Sequence, residues 1–146
     1  METTASIEIE RPAAEVFDYV ADMSNNPNWQ RGQVVCTWTS QPPIAVGSTY
    51  DQEAKFLGTT ITSSFEVTEY EAGRRIRIVT TSGNMPIDVT RVVEPVSPQS
   101  CRVTATVRGK PPLAMRVLGP LLKGMLRKSV QSDYVTLKAL LESGTD

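Results

Sequence analysis

Between residues 34 and 108 the chain repeats short segments of alternating apolar and polar side chains, separated by turn-forming residues. Alternation with a period of two is typical of strands that bury one face. The turn signals lie at residues 41–43, 47–48, 57–58, 71–73, 83–84 and 95–100. The segment therefore predicts six strands, and its short connections favour an antiparallel sheet with one face in water.

Another strand and two short helices are predicted before this segment. Residues 3–10 alternate in the same way and end at Arg11-Pro12. Proline suits the first position of a helix, and residues 12–21 carry apolar side chains at helical spacing. A further helical turn is predicted over residues 22–26. Both helices are expected to act as connections between the first two strands.

A long helical pattern closes the sequence, from Leu113 to about Ser143, and Pro120 is expected to kink it. One long helix and two short ones cannot cover the apolar face of seven strands. The simplest arrangement is a sheet that curls around the long helix and leaves a cavity between them. The predicted class is α+β.

Length and composition limit the alternatives. At 146 residues the chain fits a single domain, residues 1–146, without help from disulfides or metals. Cys36 and Cys101 are far apart, and neither a signal peptide nor a membrane-spanning apolar run is recognised, so a cytoplasmic location is expected. The sequence contains no histidine, the commonest general base and metal ligand. No cofactor or metal site is predicted.

The charge is distributed unevenly. Residues 1–90 hold six basic and twelve acidic side chains, whereas residues 91–146 hold nine basic and four acidic ones. The basic side chains Arg116, Lys123 and Arg127 lie toward one flank of the long helix, where they either form a solvated face or dock on an anionic membrane or an acidic partner. Nucleic acid is not expected as a partner, because aromatic residues do not alternate with the basic ones. The oligomeric state is left open.

Five segments of the sequence resemble a known family: residues 11–29, 46–50, 65–76, 91–95 and 132–142. The chain resembles the START-like, or SRPBCC, superfamily, and especially its polyketide cyclase/dehydrase and lipid-transport branch. The resemblance implies a helix-grip fold, in which a seven-stranded curved antiparallel sheet surrounds a long C-terminal helix, with two short helices between the first two strands. It also implies a deep cavity that ligands enter near the start of the long helix. No catalytic motif of that family's enzymes is recognised here.

Arg91 is the most informative candidate site residue. Its alternation with Val89 and Val93 predicts that it points to the concave side of the sheet. A buried arginine needs a partner, and Asp133, on the otherwise apolar face of the long helix, is the candidate. The pair is interpreted either as an anchor for a ligand carboxylate or carbonyl, or as a structural ion pair. A third interpretation is an arginine that reaches solvent at the sheet end.

The remaining candidate ligand-binding residues come from the same alternation. Tyr50, Gln52 and Ser63 are predicted to add hydrogen-bonding groups to apolar walls. The apolar candidates are Phe65, Ile76 and Ile78 on strands, Leu122 and Leu126 on the long helix, and Trp29, Trp38, Phe56 and Met115 around the mouth. Each of these residues is equally compatible with an ordinary filled core.

Three functions are compatible with these patterns. The leading hypothesis is binding, or transport, of a small hydrophobic ligand such as a lipid, isoprenoid or polyketide. The second is a metal-independent cyclase/dehydrase-type enzyme in which Tyr50, Arg91 and Asp133 transfer protons. The third is a toxin-like or regulatory interaction module that uses the basic helix and not the cavity.

Overall fold

Seven strands of the described residues form one antiparallel sheet in the order β1-β7-β6-β5-β4-β3-β2. The computed structural model describes residues 1–56, 58–83, 85–110, 117 and 119–143, without the side chain of Phe56. The strands are β1 (Glu2–Ile9), β2 (Gln33–Trp38), β3 (Thr49–Phe56), β4 (Thr59–Glu71), β5 (Arg75–Gly83), β6 (Ile87–Ser97) and β7 (Ser100–Gly109). The first strand thus pairs with the last, and β1 and β2 lie at the two edges of the sheet.

Three helices accompany the sheet in the described part of the chain. They are α1 (Ala13–Ala21), a 3₁₀ helix (Met23–Asn28) and the long α2 (Pro120–Ser143). The sheet curls into a half-barrel around α2, which packs along β1, while the 3₁₀ helix packs on β2. This is the α+β helix-grip arrangement predicted from the sequence, and the prediction is confirmed.

The predicted alternation places the core on the concave face. On β4, Ile61, Ser63, Phe65 and Val67 are buried, whereas the side chains between them face outward and are more exposed. The convex face carries ion pairs instead, among them Arg77 with Glu69 at 2.9 Å and with Asp88 at 2.6 Å. The period of two therefore separates a dry face from a wet one, as expected for an antiparallel sheet.

The turn predicted over residues 95–100 is shorter than expected. Strand β6 continues through Pro95 to Ser97, and β7 begins at Ser100. The register shifts between Pro95 and Ser97. Proline has no N–H to donate to the backbone hydrogen bonds between strands. Within a strand it is therefore tolerated mainly at edges and at bulges such as this one. The pyrrolidine ring therefore interrupts the pairing without ending the strand.

The long helix begins later than its sequence pattern suggested. Pro120 is the first residue of α2, so it starts the helix and does not kink it. Proline is favoured there because its missing N–H has no intrahelical acceptor to reach. Gly119, with φ +51°, precedes it in a left-handed conformation that glycine adopts freely. Most of the predicted helical stretch before it, residues 113–116 and 118, lies outside the described residues.

The C-terminal end of α2 is held by the corner between β1 and α1. The Arg11 side chain donates from Nε to the carbonyl of Leu141 at 2.9 Å and from Nη2 to that of Glu142 at 3.3 Å. The backbone N–H of Glu10 donates to the Glu142 carboxylate at 2.7 Å. A cation at the last carbonyls of a helix satisfies acceptors that have no partner within the helix. This contact fixes α2 across the open side of the sheet.

Each helix in the part of the chain that the structure describes is too short or too polar to span a lipid bilayer.

Candidate functional site

A cavity of about 140 Å³ lies between the concave face of the sheet and α2. Strands β2 to β7 supply its floor, α2 supplies its roof, and the 3₁₀ helix with the residue Gln30 after it closes one side. The lining residues are Asn26, Gln30, Gln33, Gln52, Phe65, Ile78, Ile87, Val89, Arg91, Val107, Val130, Asp133 and Tyr134. Apolar walls with a few polar groups are typical of ligand pockets.

Arg91 is the central polar residue of this cavity. Its side chain is only 3% exposed, as its predicted inward orientation requires. One terminal nitrogen, Nη1, donates to the carbonyl of Val20 at 2.7 Å and to Oδ1 of Asn26 at 3.1 Å. The ring of Trp29 lies 5.0 Å from the guanidinium carbon. Arg91 thus binds the C-terminal end of α1, whose last carbonyls need donors and favour a cation.

The predicted ion pair between Arg91 and Asp133 is wrong. Within the described residues, no carboxylate lies at salt-bridge distance from Arg91. Asp133 lines the same cavity, but its Oδ1 accepts a hydrogen bond from the backbone N–H of Arg31 at 3.2 Å. The pairing failed because two neutral oxygens, the Val20 carbonyl at the end of α1 and Oδ1 of Asn26 in the 3₁₀ helix, lie closer to Arg91, and that proximity is a property of the tertiary structure.

The carboxyl of Asp133 sits in an unusual environment for an acid. Burial raises its pKa above the ordinary value of 3.8, and the hydrogen bond and charge from Arg31 only partly oppose that rise. Desolvation disfavours the charged form of a carboxyl. Asp133 therefore holds its proton to a higher pH than an exposed aspartate does.

Two polar atoms of lining residues have no hydrogen-bond partner in the described part of the chain. They are Nε of Arg91, a donor, and Oε1 of Gln33, an acceptor. A buried polar group left without a partner costs about 1–3 kcal/mol. A ligand could therefore supply an acceptor for Nε of Arg91 and a donor for Oε1 of Gln33.

Five of the predicted binding residues line the cavity: Gln52, Phe65, Ile78, Arg91 and Asp133. Tyr50 and Trp38 do not belong to this lining. Tyr50 is completely buried, stacked at 4.9 Å on Phe65 and packed edge-on against Trp38 at 5.3 Å. Trp38 lines a separate pocket of about 210 Å³ near Asp22, to which its Nε1 donates at 2.8 Å.

The other predicted residues are core residues or lie outside the described residues. Trp29, Ser63, Ile76 and Leu122 are buried and do not line the cavity, and Leu126 is partly buried and does not line it either. Met115 and the side chain of Phe56 lie outside the described residues. The count of inward positions was sound, but it did not distinguish cavity wall from filled core.

Several lining residues were missed by the sequence analysis. Tyr134 follows Asp133 directly on α2, packs edge-on against Trp29 at 4.8 Å and is 3% exposed. Burial raises its pKa, and the charge of Arg91 opposes that rise. Asn26, Gln30 and Gln33 come from a segment with no periodic pattern. Their only sequence signal is a cluster of amide side chains after the second short helix.

The thiol in this region is not activated. Cys36 is buried, and burial raises its pKa to about 12 despite the nearby charge of Arg91. A protonated thiol is a poor nucleophile. The cavity thus presents a guanidinium, a carboxyl, a phenol and amides as its reactive or binding groups.

A wider opening adjoins the cavity at Asp133. This pocket, of about 300 Å³, is lined by Arg31, Met125, Lys128, Ser129, Ser132 and Asp133. Because Asp133 lines both spaces, its carboxyl marks the boundary between them. This outer pocket, bordered by the cations Arg31 and Lys128, is called the mouth below.

A larger groove at the end of the sheet is a weaker candidate. It measures about 460 Å³ and is more open to solvent, and Arg108, Asp88 and Glu2 are among its lining residues. These charges are already paired, Arg108 with Glu2 at 3.0 Å and Asp88 with Arg77 at 2.6 Å. The inner cavity, in contrast, holds the buried atoms that lack partners.

Comparisons with known proteins agree with this architecture. The fold is similar to that of protein TTHA0849 from Thermus thermophilus, with a TM-score of 0.84, 17% identity and full coverage of both chains. A START superfamily protein from Mycobacterium smegmatis gives a TM-score of 0.72 at 16% identity, covering 97% of this chain and 94% of that one. The Zhui aromatase/cyclase from Streptomyces sp. R1128 gives 0.76 at 8% identity, covering 95% and 92%. At these identities the likeness shows the fold alone.

Sequence comparison identifies the family. No curated protein matches the chain. The family model described as polyketide cyclase/dehydrase and lipid transport matches residues 1–142, nearly the whole sequence. The chain therefore belongs to the polyketide cyclase/dehydrase and lipid transport family.

Proposed function

We propose that this protein binds a small, mostly apolar ligand in the inner cavity and holds one of its oxygens on Arg91. The observation that carries the proposal is a buried guanidinium at the wall of an apolar cavity, with no carboxylate partner in the described ranges and with Nε unpartnered. Burying a charge without a counter-charge costs several kcal/mol. A ligand carboxylate or carbonyl oxygen on Arg91 offsets part of that cost.

The size of the cavity supports a small ligand. An engineered apolar cavity of about 150 Å³ is known to bind benzene, and the cavity here measures about 140 Å³. Larger molecules fit only if part of them extends toward the mouth at Asp133 or if the walls move. The family includes lipid transport and cyclisation in its description, and both activities use an apolar cavity.

The test compares two probes of one ring, benzoate and toluene, titrated into the full chain and followed by amide shifts in NMR spectra. Benzoate is expected to shift signals of cavity residues and to bind at least tenfold more tightly than toluene. Arg91→Met is expected to remove that preference. A matched control is Arg75→Met, which removes an arginine of the convex face. Absence of binding by both probes contradicts the proposal.

A cyclase-type enzyme is the second candidate, and the position of Asp133 favours it. Its carboxyl lines the same cavity as Arg91, and burial raises its pKa above the ordinary value, which makes it a stronger base than an exposed aspartate. In this mechanism, Asp133 removes a proton from a carbon between two carbonyls, and Arg91 stabilises the resulting enolate. Tyr50 has no part in it, because it does not line the cavity.

The enzyme hypothesis is tested with ethyl acetoacetate as the probe. The rate of deuterium exchange at its central carbon is measured against the rate in buffer alone. Acceleration that is lost in Asp133→Asn supports the enzyme, provided that the variant still binds benzoate. Exchange at the buffer rate in the unsubstituted protein contradicts it.

Docking on an anionic membrane is proposed for the face around the mouth. Leu121 is 63% exposed and Met125 is 37% exposed, and the exposed cations Lys123, Arg127 and Lys128 lie beside them on α2. Apolar side chains among cations suit a negatively charged bilayer surface. Vesicles of phosphatidylcholine with phosphatidylglycerol are expected to bind the chain, and vesicles of phosphatidylcholine alone are not. Equal binding to both contradicts this docking.

A further inference from the structure

We propose that the ligand is a monocyclic hydroxycarboxylate, with its carboxylate on Arg91 and its hydroxyl on Gln33. This inference rests on the proposed function. The proposal combines three properties of the cavity: its volume, the unbalanced charge of Arg91 and the partnerless amide of Gln33. Each property restricts a different part of the ligand.

The volume restricts the ligand skeleton. A cavity of about 140 Å³ accepts one six-membered ring, and Phe65, Ile78 and Val107 supply apolar wall for it. A fused-ring acid such as 2-naphthoate exceeds this space, because it adds a second ring to the carboxylate and the first ring that already fill it. The buried part of the ligand is therefore a single ring or a chain of similar size.

The charge of Arg91 restricts the anchoring group. Its hydrogen-bond acceptors within the described ranges are neutral: the Val20 carbonyl, Asn26 Oδ1 and, at 3.4 Å, the sulfur of Met23, with the neutral phenol of Tyr134 also close to it. A guanidinium donates most strongly to a carboxylate, and its planar fork can offer two parallel bonds. A carboxylate satisfies both the missing counter-charge and the partnerless Nε, whereas a carbonyl satisfies only the second.

Gln33 restricts the second polar group. It lies at the start of β2, where its backbone N–H donates to the carbonyl of Gln30 at 3.1 Å and its side chain faces the cavity. Oε1 of this amide is buried and receives no donor from the described residues. A hydroxyl donates and accepts, so it suits the amide even if the oxygen and nitrogen exchange places.

Asp133 explains why the second group is a neutral hydroxyl and not another carboxylate. Its carboxyl lines the same cavity and is already partly desolvated, with Oδ1 engaged by Arg31. Arg91 is the one basic residue among the described residues that line the cavity, so a dicarboxylate brings two negative charges to a single guanidinium. The cavity thus accepts one ligand carboxylate and rejects a dicarboxylate.

The experiment titrates the full chain with benzoate, the three positional isomers of hydroxybenzoate, phthalate and 2-naphthoate, using calorimetry. At least one hydroxybenzoate is expected to bind at least tenfold more tightly than benzoate, because it fills the acceptor that benzoate leaves unpaired. Phthalate and 2-naphthoate are each expected to bind at least tenfold more weakly than benzoate. Gln33→Leu is expected to erase the preference for the hydroxyl, so that within this variant the hydroxybenzoate binds no more tightly than benzoate, whereas Gln99→Leu on the surface keeps the preference.

The outcomes separate this inference from the proposed function. If benzoate binds through Arg91 but no hydroxybenzoate exceeds it, the hydroxycarboxylate is excluded and the ligand site stands. Phthalate or 2-naphthoate binding as well as benzoate also overturns the inference. If no probe binds, the proposed function itself fails. Should Gln33→Leu not fold, the probe series on the unsubstituted protein decides the question alone.

Discussion

Trp29 lies over Arg91, with the ring centroid 5.0 Å from the guanidinium carbon. The same indole packs edge-on against Tyr134 of α2 at 4.8 Å. A buried cation on an aromatic face gains about 2 kcal/mol or more. Trp29 therefore links the arginine of β6 to the long helix, and it stabilises a charge that has no acidic partner among the described residues.

Substitution of Arg91 by methionine is expected to destabilise the fold. It leaves the Val20 carbonyl and Asn26 Oδ1 without their donor, which costs about 1–3 kcal/mol. Chemical denaturation measures the change in the free energy of unfolding. Arg75→Met removes a half-exposed ion pair with Glu69 and is expected to cost less than about 1 kcal/mol. Equal losses in the two variants contradict the role given to Arg91.

Filling the cavity is expected to abolish binding without unfolding the protein. Val107→Phe places a ring into the space of about 140 Å³, so benzoate affinity is expected to fall at least tenfold. Because the site has room, the free energy of unfolding is expected to change by less than about 1 kcal/mol. The control, Val96→Phe, enlarges an exposed valine on β6. Unchanged benzoate binding in Val107→Phe places the ligand elsewhere.

Removing the charge of Asp133 is expected to stabilise the protein in a pH-dependent way. Its pKa is raised in the folded state, so the folded protein holds this proton more tightly than the unfolded chain, and stability falls as pH rises through the folded pKa. The variant Asp133→Asn has no carboxyl to ionise at this position, so it does not lose stability in this way. Its advantage over the unsubstituted protein should be absent below the ordinary pKa of 3.8, grow above it and then level off. Denaturation across pH measures this, and an advantage that stays the same at every pH contradicts it.

The stability contributed by the two acidic partners of Arg77 is expected to depend on pH in the opposite direction. Hydrogen bonds from Arg77 lower the pKa values of Glu69 and Asp88 in the folded state. Their contribution is therefore complete above the ordinary pKa of each carboxyl and is lost as pH falls through the lowered value. Asp88→Asn should cost up to about 1 kcal/mol near neutral pH, because the pair is partly exposed. The cost should vanish in strong acid, and a cost that grows there would refute the argument.

Both cysteines are expected to resist thiol reagents in the native state. Burial raises the pKa of Cys36 to about 12 and that of Cys101 to about 11. Reaction with a chromogenic disulfide should be slow in buffer and rapid in denaturant. Fast reaction of either thiol in buffer shows that the region around it opens readily.

Alternation and helical spacing were sufficient to predict the architecture. The six strands between residues 34 and 108, the inward orientation of Arg91 and the burial of Ile61, Ser63 and Phe65 all follow from a period of two. Such patterns arise because each strand must bury one side, whatever its neighbours are. The family resemblance and the match over residues 1–142 point to the same fold.

The chemistry of the site was decided by the tertiary structure. The sequence pattern predicted that Arg91 points inward and that Asp133 is its partner. In the structure, the Val20 carbonyl at the end of α1 and the ring of Trp29 pack against Arg91 instead. Sequence also placed Tyr50 inward, but only the packing of Phe65 and Trp38 around it separates filled core from cavity wall. Local periodicity determines the face on which a residue lies. Which atoms meet across that face depends on contacts between segments far apart in the chain, and these form only when the sheet closes around α2.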